Sequence, residues 1–266
     1  MTGSEFTQRL KRGDRLYGTA IISSSPLWPP AVKQAGVDFV FIDTEHIPSD
    51  RVTLAQMCLA YRALGLPPLV RIPSPDPYEA CQVLDAGAAG VLAPYIEQPE
   101  QVSKLVGATK LRPLKGRRLD EVLKSLDCLE PGLNDYLSRR NADNFLMINI
   151  ESVPALERLD QILSVPGLDG VIIGPHDLSV SLGLPERYAH PRFDEAVEAI
   201  IVKAREKGLG IGIHFPKDHD LQIKWSQRGL NIVLHSSDLM FFQLSLAAAI
   251  STMRQALRVD VRMDDL

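Results

Sequence analysis

Residues 145–177 read FLMINIESVPALERLDQILSVPGLDGVIIGPHD, and this stretch decides the fold. It contains two apolar runs, Phe145–Ile150 and Asp169–Ile173, on either side of a helical pattern at Pro154–Leu163. Continuous apolar runs are typical of parallel strands that are covered on both faces. The order strand, helix, strand predicts a βαβ unit, with a turn at Gly174–Pro175 after its second strand.

The same alternation continues in both directions along the chain. Six further strands are predicted at Tyr17–Ile22, Asp38–Asp43, Pro68–Ile72, Gly90–Ala93, Leu209–Ile213 and Leu230–Leu234. Helical patterns fill nearly every gap, including Lys217–Arg228, and a last helix is predicted at Ser237–Leu257. Eight such units in 266 residues favour one closed (β/α)8 barrel, a TIM barrel. We therefore expect a single α/β domain over 1–266, with its core at residues 16–255. The charged stretch Lys110–Asn144 is predicted to be a long loop with one helix at the functional rim.

Composition and charge make several classes of partner improbable. Lys and Arg total 29 against 33 Asp and Glu, a formal charge of −4, so we expect no nucleic-acid partner. The start of the chain has no apolar signal-peptide core, and the longest apolar run, Leu239–Ile250, is too short to span a bilayer. No membrane partner is expected. The three cysteines are widely spaced and form no disulfide or zinc pattern, which favours a cytoplasmic location.

Polar side chains follow most of the predicted strands, at the end where barrels of this kind carry their active sites. They are Asp43, Glu45 and His46 after the second strand, Arg71 after the third, Glu151 after the fifth, Asp177 after the sixth, His214 after the seventh and His235 after the eighth. We expect these side chains to meet on one face of the barrel.

Two carboxylates on neighbouring strands, Glu151 and Asp177, could supply part of an oxygen shell for Mg²⁺ or Mn²⁺. Both residues also precede plausible helix starts, where acidic side chains serve as caps. The residues alone leave both interpretations open.

Three other residues have candidate catalytic roles. Arg71 could stabilise a developing oxyanion or clamp a carboxylate, or it could form an ordinary surface ion pair. His46 could be a general base held by an aspartate, or a structural histidine. Periodicity alone makes Asp85, near the end of a helix, a solvated polar residue.

Several blocks of the sequence resemble the HpcH/HpaI aldolase family. They are Ala35–His46 (AGVDFVFIDTEH), Pro68–Pro73 (PLVRIP), Val83–Ala88 (VLDAGA), Ile150–Ser152 (IES) and Gly174–Gly183 (GPHDLSVSLG), in the order and spacing of the family. The resemblance covers residues 16–255. It implies a (β/α)8 barrel that acts as a class II, metal-dependent aldolase on 2-oxo acids. It also implies a homo-oligomer, a hexamer built as a trimer of dimers, in which the last helix is exchanged between subunits.

The resemblance also assigns roles to residues. Glu151 and Asp177 match the metal ligands, with Mg²⁺ or Mn²⁺ expected and Co²⁺ as a further candidate. Arg71 matches the arginine that faces the keto oxygen. His46 and Asp85 match a proton-transfer dyad, with Asp43 as a second candidate partner for His46. Gly174 and Pro175 match a turn that lies against the pyruvate carboxylate. The implied reaction cleaves or forms a 4-hydroxy-2-oxo acid, giving pyruvate or a related 2-oxo acid and an aldehyde.

The sequence departs from the family pattern at four places. Asn149 stands where glutamine is common, His176 where a small residue is common, and His214 where an aliphatic residue is common. The pair Arg117–Arg118 replaces a common Arg-Gly. We expect His176 and His214 to lie in the substrate pocket and to alter its polarity.

Three alternatives remain at this stage. The first is other chemistry of the same type, such as oxaloacetate decarboxylation or cycloaddition. The second is a Schiff-base aldolase, which would need a buried lysine within a strand. No predicted strand contains a lysine. The third is a non-catalytic barrel that binds a metabolite.

Overall fold

The chain forms a closed barrel of parallel strands, as the alternating pattern predicts. The computed structural model describes residues 1–125, 128–216 and 218–257. Within them the strands are β1 (Leu16–Ile21), β2 (Phe39–Asp43), β3 (Pro68–Arg71), β4 (Gly90–Ala93), β5 (Phe145–Ile150), β6 (Gly170–Ile173), β7 (Gly210–Phe215) and β8 (Ile232–Ser237). Each strand pairs with the next, and β8 returns to β1. The predicted (β/α)8 barrel is confirmed, and the predicted unit 145–177 supplies β5 and β6.

Helices cover the outside of the barrel. Those in the described residues are α1 (Gly3–Arg12), α2 (Trp28–Gln34), α3 (Arg51–Ala63), α4 (Pro77–Asp85), α5 (Pro99–Lys110), α6 (Gly116–Lys124), α7 (Pro131–Arg140), α8 (Val153–Glu157), α9 (Leu159–Leu163), α10 (Pro175–Ser181), α11 (Pro191–Glu206), α12 (His219–Gln227) and α13 (Asp238–Ala256). The sequence analysis did not predict α1, and for α10 it noted only a plausible helix start after Asp177. The predicted starting residue of α12, Lys217, and the last residues of the expected domain, 258–266, lie outside the described residues.

Side chains on the strands alternate between two separate hydrophobic cores. One face of each strand packs against the helices, as Ile42, Val70 and Ile148 do. The other face points into the barrel and builds a second cluster, which includes Phe41 and Leu69. This alternation follows from the twofold periodicity of a strand. Helix α1 closes the lower, N-terminal end of the barrel.

The inward-facing residues form layers that alternate between even and odd strands, as in other barrels of this type. One layer consists of the apolar side chains of the even strands: Phe41, Leu92, Ile172 and Leu234. The strand registers place the polar residues Arg71, Asn149 and His214, from β3, β5 and β7, in the next layer toward the C-terminal end. The change from apolar to polar marks the start of the candidate site.

The charged segment that follows α5 lies at the opposite end from the one predicted. The Lys110 ammonium is 2.6 Å from the backbone oxygen of Asn144 and 2.6 Å from the Asp169 carboxylate. Asn144 and Asp169 directly precede β5 and β6, so this segment lies at the N-terminal end of the barrel. The prediction of a functional rim was wrong, since α5 has already returned the chain to that end. The segment carries two helices, α6 and α7, which close over a small core of Leu111, Val122 and Leu137.

Helix α13 projects many apolar side chains into solvent. Phe242 is 56 % exposed and Leu246 is 49 % exposed, and Leu239, Leu244 and Met253 are likewise exposed. In the part of the chain that the structure describes, no helix is long and apolar enough to cross a membrane.

Candidate active site

A cavity of about 810 Å³ opens at the C-terminal end of the strands. Seven residues predicted for the site line it: His46, Arg71, Gly174, Pro175, His176, Asp177 and His214. Its floor is the apolar layer of the even strands. Glu151 does not line the cavity itself but packs against Gly174, which does. The residues expected after the strands therefore lie at this end of the barrel, although His235 faces away from the cavity.

Arg71 is held rigidly by two carboxylates. Its Nε and one terminal nitrogen donate to the two oxygens of Asp43 at 2.9 and 2.5 Å, and its Nε lies 3.1 Å from Glu45. Burial raises the pKa of the Asp43 carboxyl, but the Arg71 guanidinium outweighs it, so this pKa is lowered overall. Arg71 is thus a fixed, nearly buried positive charge at the cavity wall, rather than the surface ion pair that the sequence left open.

His46 stands at the mouth of the cavity, and its carboxylate neighbours are Asp43 and Glu45. Its Nε2 is 3.8 Å from Glu45, and its backbone N–H donates weakly to Asp43 at 3.4 Å. The His46 side chain is 60 % exposed, so it can reach a ligand without first breaking a buried contact.

The structure does not bring Asp85 to His46 within the subunit. Asp85 is the last residue of α4, and that helix runs back toward the N-terminal end of the barrel. Its side chain is 70 % exposed and pairs with Arg112. A match by position alone cannot reveal on which end of the barrel a helix ends. Within one subunit, Asp43 and Glu45 take the place beside His46 that was predicted for Asp85.

Glu151 is a buried carboxylate in an unfavourable electrostatic environment. Burial, together with the negative charges of Asp177 and Glu45, raises its pKa to about 7. The backbone N–H of Tyr95 opposes this shift, since it donates to Glu151 Oε1 at 2.8 Å. Tyr95 points this N–H at the carboxylate by adopting a left-handed backbone with φ 54°.

Gly174 allows the Glu151 carboxylate to lie against the backbone that follows β6. A Cβ built on Gly174 would come within 2.5 Å of Oε2 and 2.9 Å of Cβ of Glu151. Real side chains do not approach this closely, so only glycine fits unless Glu151 moves.

The donor set fits a hard divalent cation. Glu151 is not a helix cap, because Ser152 caps α8, and the cap residue of α10 is Gly174 rather than Asp177. Asp177 is exposed in the first turn of α10 and faces the cavity. Within residues 1–125, 128–216 and 218–257, no three His, Cys, Asp or Glu side chains form a ready metal cage. Two carboxylates with room for water and substrate are nevertheless what Mg²⁺ commonly uses, and a cation would relieve the repulsion around Glu151.

The histidines differ sharply in their surroundings. His214 is largely enclosed, and its Nε2 lies 3.1 Å from the backbone oxygen of Ser236. Burial lowers the pKa of His214. His176 is 62 % exposed at the rim, 3.7 Å from Glu186. His235 lies outside the cavity, because its position on β8 turns it outward, where its Nδ1 bonds to Gln222 at 2.8 Å.

Comparison with known proteins fits this geometry. The family described as HpcH/HpaI aldolase/citrate lyase matches residues 21–243. The chain belongs to this family.

Relatives in the HpcH/HpaI family cover nearly the whole chain. The 2-keto-3-deoxy-L-rhamnonate aldolase of Salmonella dublin is 31 % identical over 242 residues, which are 91 % of this chain and 90 % of that protein. The crystal structure of an HpcH/HpaI aldolase from Desulfitobacterium hafniense has a TM-score of 0.80 at 28 % identity, covering 93 % of this chain and 95 % of that one. Citrate synthase SbnG has a TM-score of 0.79 at 28 % identity, covering 94 % and 97 %.

Membership of the HpcH/HpaI family makes this chain an aldehyde-lyase type of enzyme, a class II aldolase on a TIM barrel. The family resemblance is therefore confirmed, and a divalent metal is the cofactor type it carries. The non-catalytic barrel considered from the sequence is not supported.

Two residues of this aldolase site were missed by sequence reasoning. Glu45 was noted only as a polar residue after β2, yet it contacts both Arg71 and His46. Tyr95 was overlooked because β4 ends in apolar residues. The Glu45 carboxylate beside its phenol raises the pKa of Tyr95. A polar residue two positions beyond a strand end was the available signal.

Proposed function

We propose that the chain is a divalent-metal-dependent class II aldolase that cleaves or forms a 4-hydroxy-2-oxo acid, with pyruvate or a related 2-oxo acid and an aldehyde as its halves. One observation carries the proposal. A buried carboxylate, Glu151, has a pKa of about 7 while two further carboxylates face it and a fixed guanidinium stands nearby. Carboxylates crowded in this way are typical of a site built around a cation.

Glu151 and Asp177 would hold the ion, and Mg²⁺ or Mn²⁺ suits two carboxylates best, with Co²⁺ as a further candidate. When bound, such an ion supplies Lewis-acid stabilisation of the enolate.

Arg71 supplies the second positive charge. Asp43 occupies its Nε and one terminal nitrogen, which leaves other N–H groups of the same guanidinium for the keto oxygen of the substrate. Because the charge is fixed before the reaction, no reorganisation is needed as negative charge develops on that oxygen. Gly174 and Pro175 line the cavity on the side where we expect the substrate carboxylate.

His46 is our candidate for proton transfer. Its imidazole lies at the cavity mouth beside Glu45, which is well placed to stabilise the imidazolium form. In the cleavage direction His46 would take the proton from the 4-hydroxyl group, and in the addition direction it would return it. Tyr95, whose phenol faces the Glu45 carboxylate, is a second candidate for proton transfer.

The cavity also has room for the aldehyde half. A volume of about 810 Å³ is far larger than pyruvate requires. The rim carries His176, Glu186, Tyr188 and Asp218. A sugar acid, the broad class to which the substrate named for the Salmonella relative belongs, is therefore our first choice of substrate class.

The test is turnover with and without metal. We expect purified enzyme to cleave 4-hydroxy-2-oxo acids in Mg²⁺ or Mn²⁺ and to lose activity in a chelator. Glu151→Ala and Asp177→Ala should abolish the metal-dependent rate while far-ultraviolet circular dichroism stays unchanged. Glu195→Ala, on the exposed face of α11, is the matched control. Full activity of either ligand variant in metal-free buffer would refute the proposal, and trapping by borohydride would favour a Schiff base.

A second reaction has a specific observation in its favour. His214 places a histidine inside the cavity, at a position where the family pattern is aliphatic, and a citrate synthase is among the similar structures. Oxaloacetate decarboxylation or another reaction of the same enolate could be favoured by such a change. Assays with oxaloacetate beside hydroxy-oxo acids distinguish the two.

We also propose a homo-oligomer, a hexamer in which α13 packs on a neighbouring subunit. Exposed apolar residues along one helix are costly in water unless another surface covers them. Beside α13 lies an apolar groove of about 760 Å³, lined by residues such as Trp28, Val32 and Phe241. Light scattering of the wild type and of Phe242→Asp would test this, since the charge should reduce the mass. The cysteines Cys58, Cys81 and Cys128 are free, which agrees with our proposal of a cytoplasmic enzyme.

A further inference from the structure

The polar layer inside the barrel contains two side chains that the mechanism above does not use. Asn149 is only 2 % exposed and lines the cavity. Its amide nitrogen donates to the backbone oxygen of Ile172 at 3.0 Å. Its Oδ1 is buried and has no hydrogen-bond partner among the described residues. A buried oxygen left in this state costs roughly 1–3 kcal/mol, so its presence at a cavity wall suggests a ligand.

His214 presents a second acceptor in the same layer. A backbone oxygen can only accept a hydrogen bond, so the contact of 3.1 Å to Ser236 puts the proton of a neutral imidazole on Nε2. Nδ1 is then left with a free lone pair. Burial, the largest cause, and the nearby Arg71 charge lower the pKa of His214, while Ser236 and Asp43 act in the opposite direction. A lowered pKa favours the neutral form of the ring.

A distortion of β8 fixes the orientation of the His214 ring. Ser236 has φ 51°, a left-handed conformation that is unusual for serine, and the pairing of β8 with β1 shifts register at this point. The ring also packs edge-on against Phe41, with 5.5 Å between the ring centres. The acceptor atom of His214 is therefore held in place rather than free to turn away.

The layer beneath the two acceptors offers neither of them a side-chain hydrogen-bond donor. The layer beneath them is apolar and consists of Phe41, Leu92, Ile172 and Leu234. Arg71, the hydrogen-bond donor of the same layer, directs its Nε and one terminal nitrogen at Asp43, and its remaining N–H groups are those proposed above for the keto oxygen. A donor must therefore come from above, where a bound 2-oxo acid would lie between Arg71 and Gly174.

The chemistry of 2-oxo acids narrows the choice of ligand. The keto and carboxylate oxygens of pyruvate are acceptors, and its methyl group donates nothing. A hydroxyl on the carbon beside the keto group is the simplest donor that such an acid can carry. We propose that Asn149 and His214 form a hydrogen-bond-accepting subsite for this hydroxyl, so that the enzyme prefers 3-hydroxy-2-oxo acids such as hydroxypyruvate as its nucleophilic half.

This inference rests on the proposed aldolase function and specifies its substrate. In the addition direction, hydroxypyruvate loses a proton from its hydroxyl-bearing carbon, and that carbon bonds to the aldehyde carbonyl carbon. The aldehyde oxygen gains a proton, so the product is a 3,4-dihydroxy-2-oxo acid and no other reactant is consumed. The substrate would thus differ from the 3-deoxy acid named for the Salmonella relative.

The experiment compares hydroxypyruvate with 2-oxobutyrate, which has a methyl group in place of the hydroxyl and nearly the same size. Calorimetry in Mg²⁺ gives the dissociation constant of each acid, and addition to glycolaldehyde gives kcat/KM. We expect hydroxypyruvate to be preferred by about tenfold or more in both measurements, since the loss of one paired buried hydrogen bond has an effect of about that size. Asn149→Leu and His214→Phe each remove one acceptor and keep a side chain of similar shape, and they should reduce the ratio of hydroxypyruvate to 2-oxobutyrate toward one. Ile172→Val, in the apolar layer, should keep it.

Equal dissociation constants and equal kcat/KM of the two acids in the wild type would overturn the inference. So would a preference for hydroxypyruvate that both Asn149→Leu and His214→Phe retain. A water molecule that permanently occupies the two acceptors would give the first result. The aldolase proposal itself is tested by metal-dependent exchange of the pyruvate methyl protons with D₂O. Exchange without a hydroxypyruvate preference refutes the subsite alone, whereas absence of both exchange and 2-oxo acid binding refutes the two together.

Discussion

Replacing Glu151 by glutamine should make the metal-free protein more stable at alkaline pH, although it should destroy the metal site. The Glu151 pKa is about 7 in the folded chain, against an ordinary value of 4.5. Between these two values the unfolded chain has released the proton and the folded chain still holds it. Stability therefore falls as pH rises through this window, and the loss is complete above about 7.

The size of the effect follows from the same two values. At 1.36 kcal/mol for each tenfold change in proton affinity, the buried charge destabilises the native state by roughly 3 kcal/mol at pH 8. Glutamine is uncharged in both states and keeps the oxygen that accepts from Tyr95, so it avoids this cost. We expect Glu151→Gln to be more stable than the wild type by about 2–3 kcal/mol at pH 8, and by close to zero at pH 4.5.

Urea unfolding in EDTA at both pH values, at one protein concentration, measures this difference. Glu195→Gln changes an exposed carboxylate on α11 and should alter stability by less than about 0.5 kcal/mol at either pH. Mg²⁺ at 100 times its dissociation constant should stabilise the wild type by about 2.7 kcal/mol and leave Glu151→Gln unchanged. Equal stability of variant and wild type at pH 8, or equal stabilisation of both by Mg²⁺, would refute the account of Glu151 as a strained metal ligand.

Three further outcomes are expected. Mg²⁺ should bind about tenfold more weakly at pH 6 than at pH 8, because below pH 7 the ion must displace the proton of Glu151. Calorimetry at the two pH values measures this difference. Equal dissociation constants at both pH values would contradict it. Gly174→Ala should weaken Mg²⁺ binding by about 10- to 100-fold, because the added Cβ would clash with the Glu151 carboxylate. Gly132→Ala, where the added Cβ has open space, should leave the affinity unchanged. Equal Mg²⁺ affinities of Gly174→Ala and the wild type would show that this close packing does not matter. Arg71→Lys should lower kcat/KM by about 100-fold or more, because an ammonium group cannot make the two parallel hydrogen bonds to Asp43. Steady-state kinetics, with thermal unfolding as the control for stability, measures this loss. A loss in kcat/KM below about threefold would exclude a fixed guanidinium from the mechanism.

The sequence predicts the barrel well because the strands and helices leave clear patterns that recur along the whole chain. The runs FVFI and FLMINI mark strands buried on both faces, and glycines after the helices mark their ends. The segment between Lys110 and Asn144 was placed at the wrong end because its charge resembles that of a functional loop. The order of the elements predicts its position correctly, because a segment that joins a helix to the next strand lies at the N-terminal end of the barrel.

Much of the candidate site could also be predicted, but the sequence did not show on which face of a strand a side chain lies. His214 and His235 both follow apolar strands, yet one faces the cavity and the other faces α12. The difference lies in which side of its strand each residue occupies, and strands that are apolar on both faces do not show this side in the sequence. The local pattern marks Glu45 and Tyr95 only as polar residues near strand ends. Their roles depend on contacts with residues of other segments, such as the one between Glu45 and Arg71.

The separation of the two hydrophobic cores by the strand backbone has a consequence for how such an enzyme can change. Residues 149 and 214 project from the inner side of β5 and β7, whereas the packing of helices against the sheet uses the opposite faces. Exchanges at the inner positions can therefore alter which molecule is accepted without loosening the scaffold. Combinatorial libraries restricted to these few positions should yield a high fraction of folded variants, and natural divergence could follow the same low-cost route.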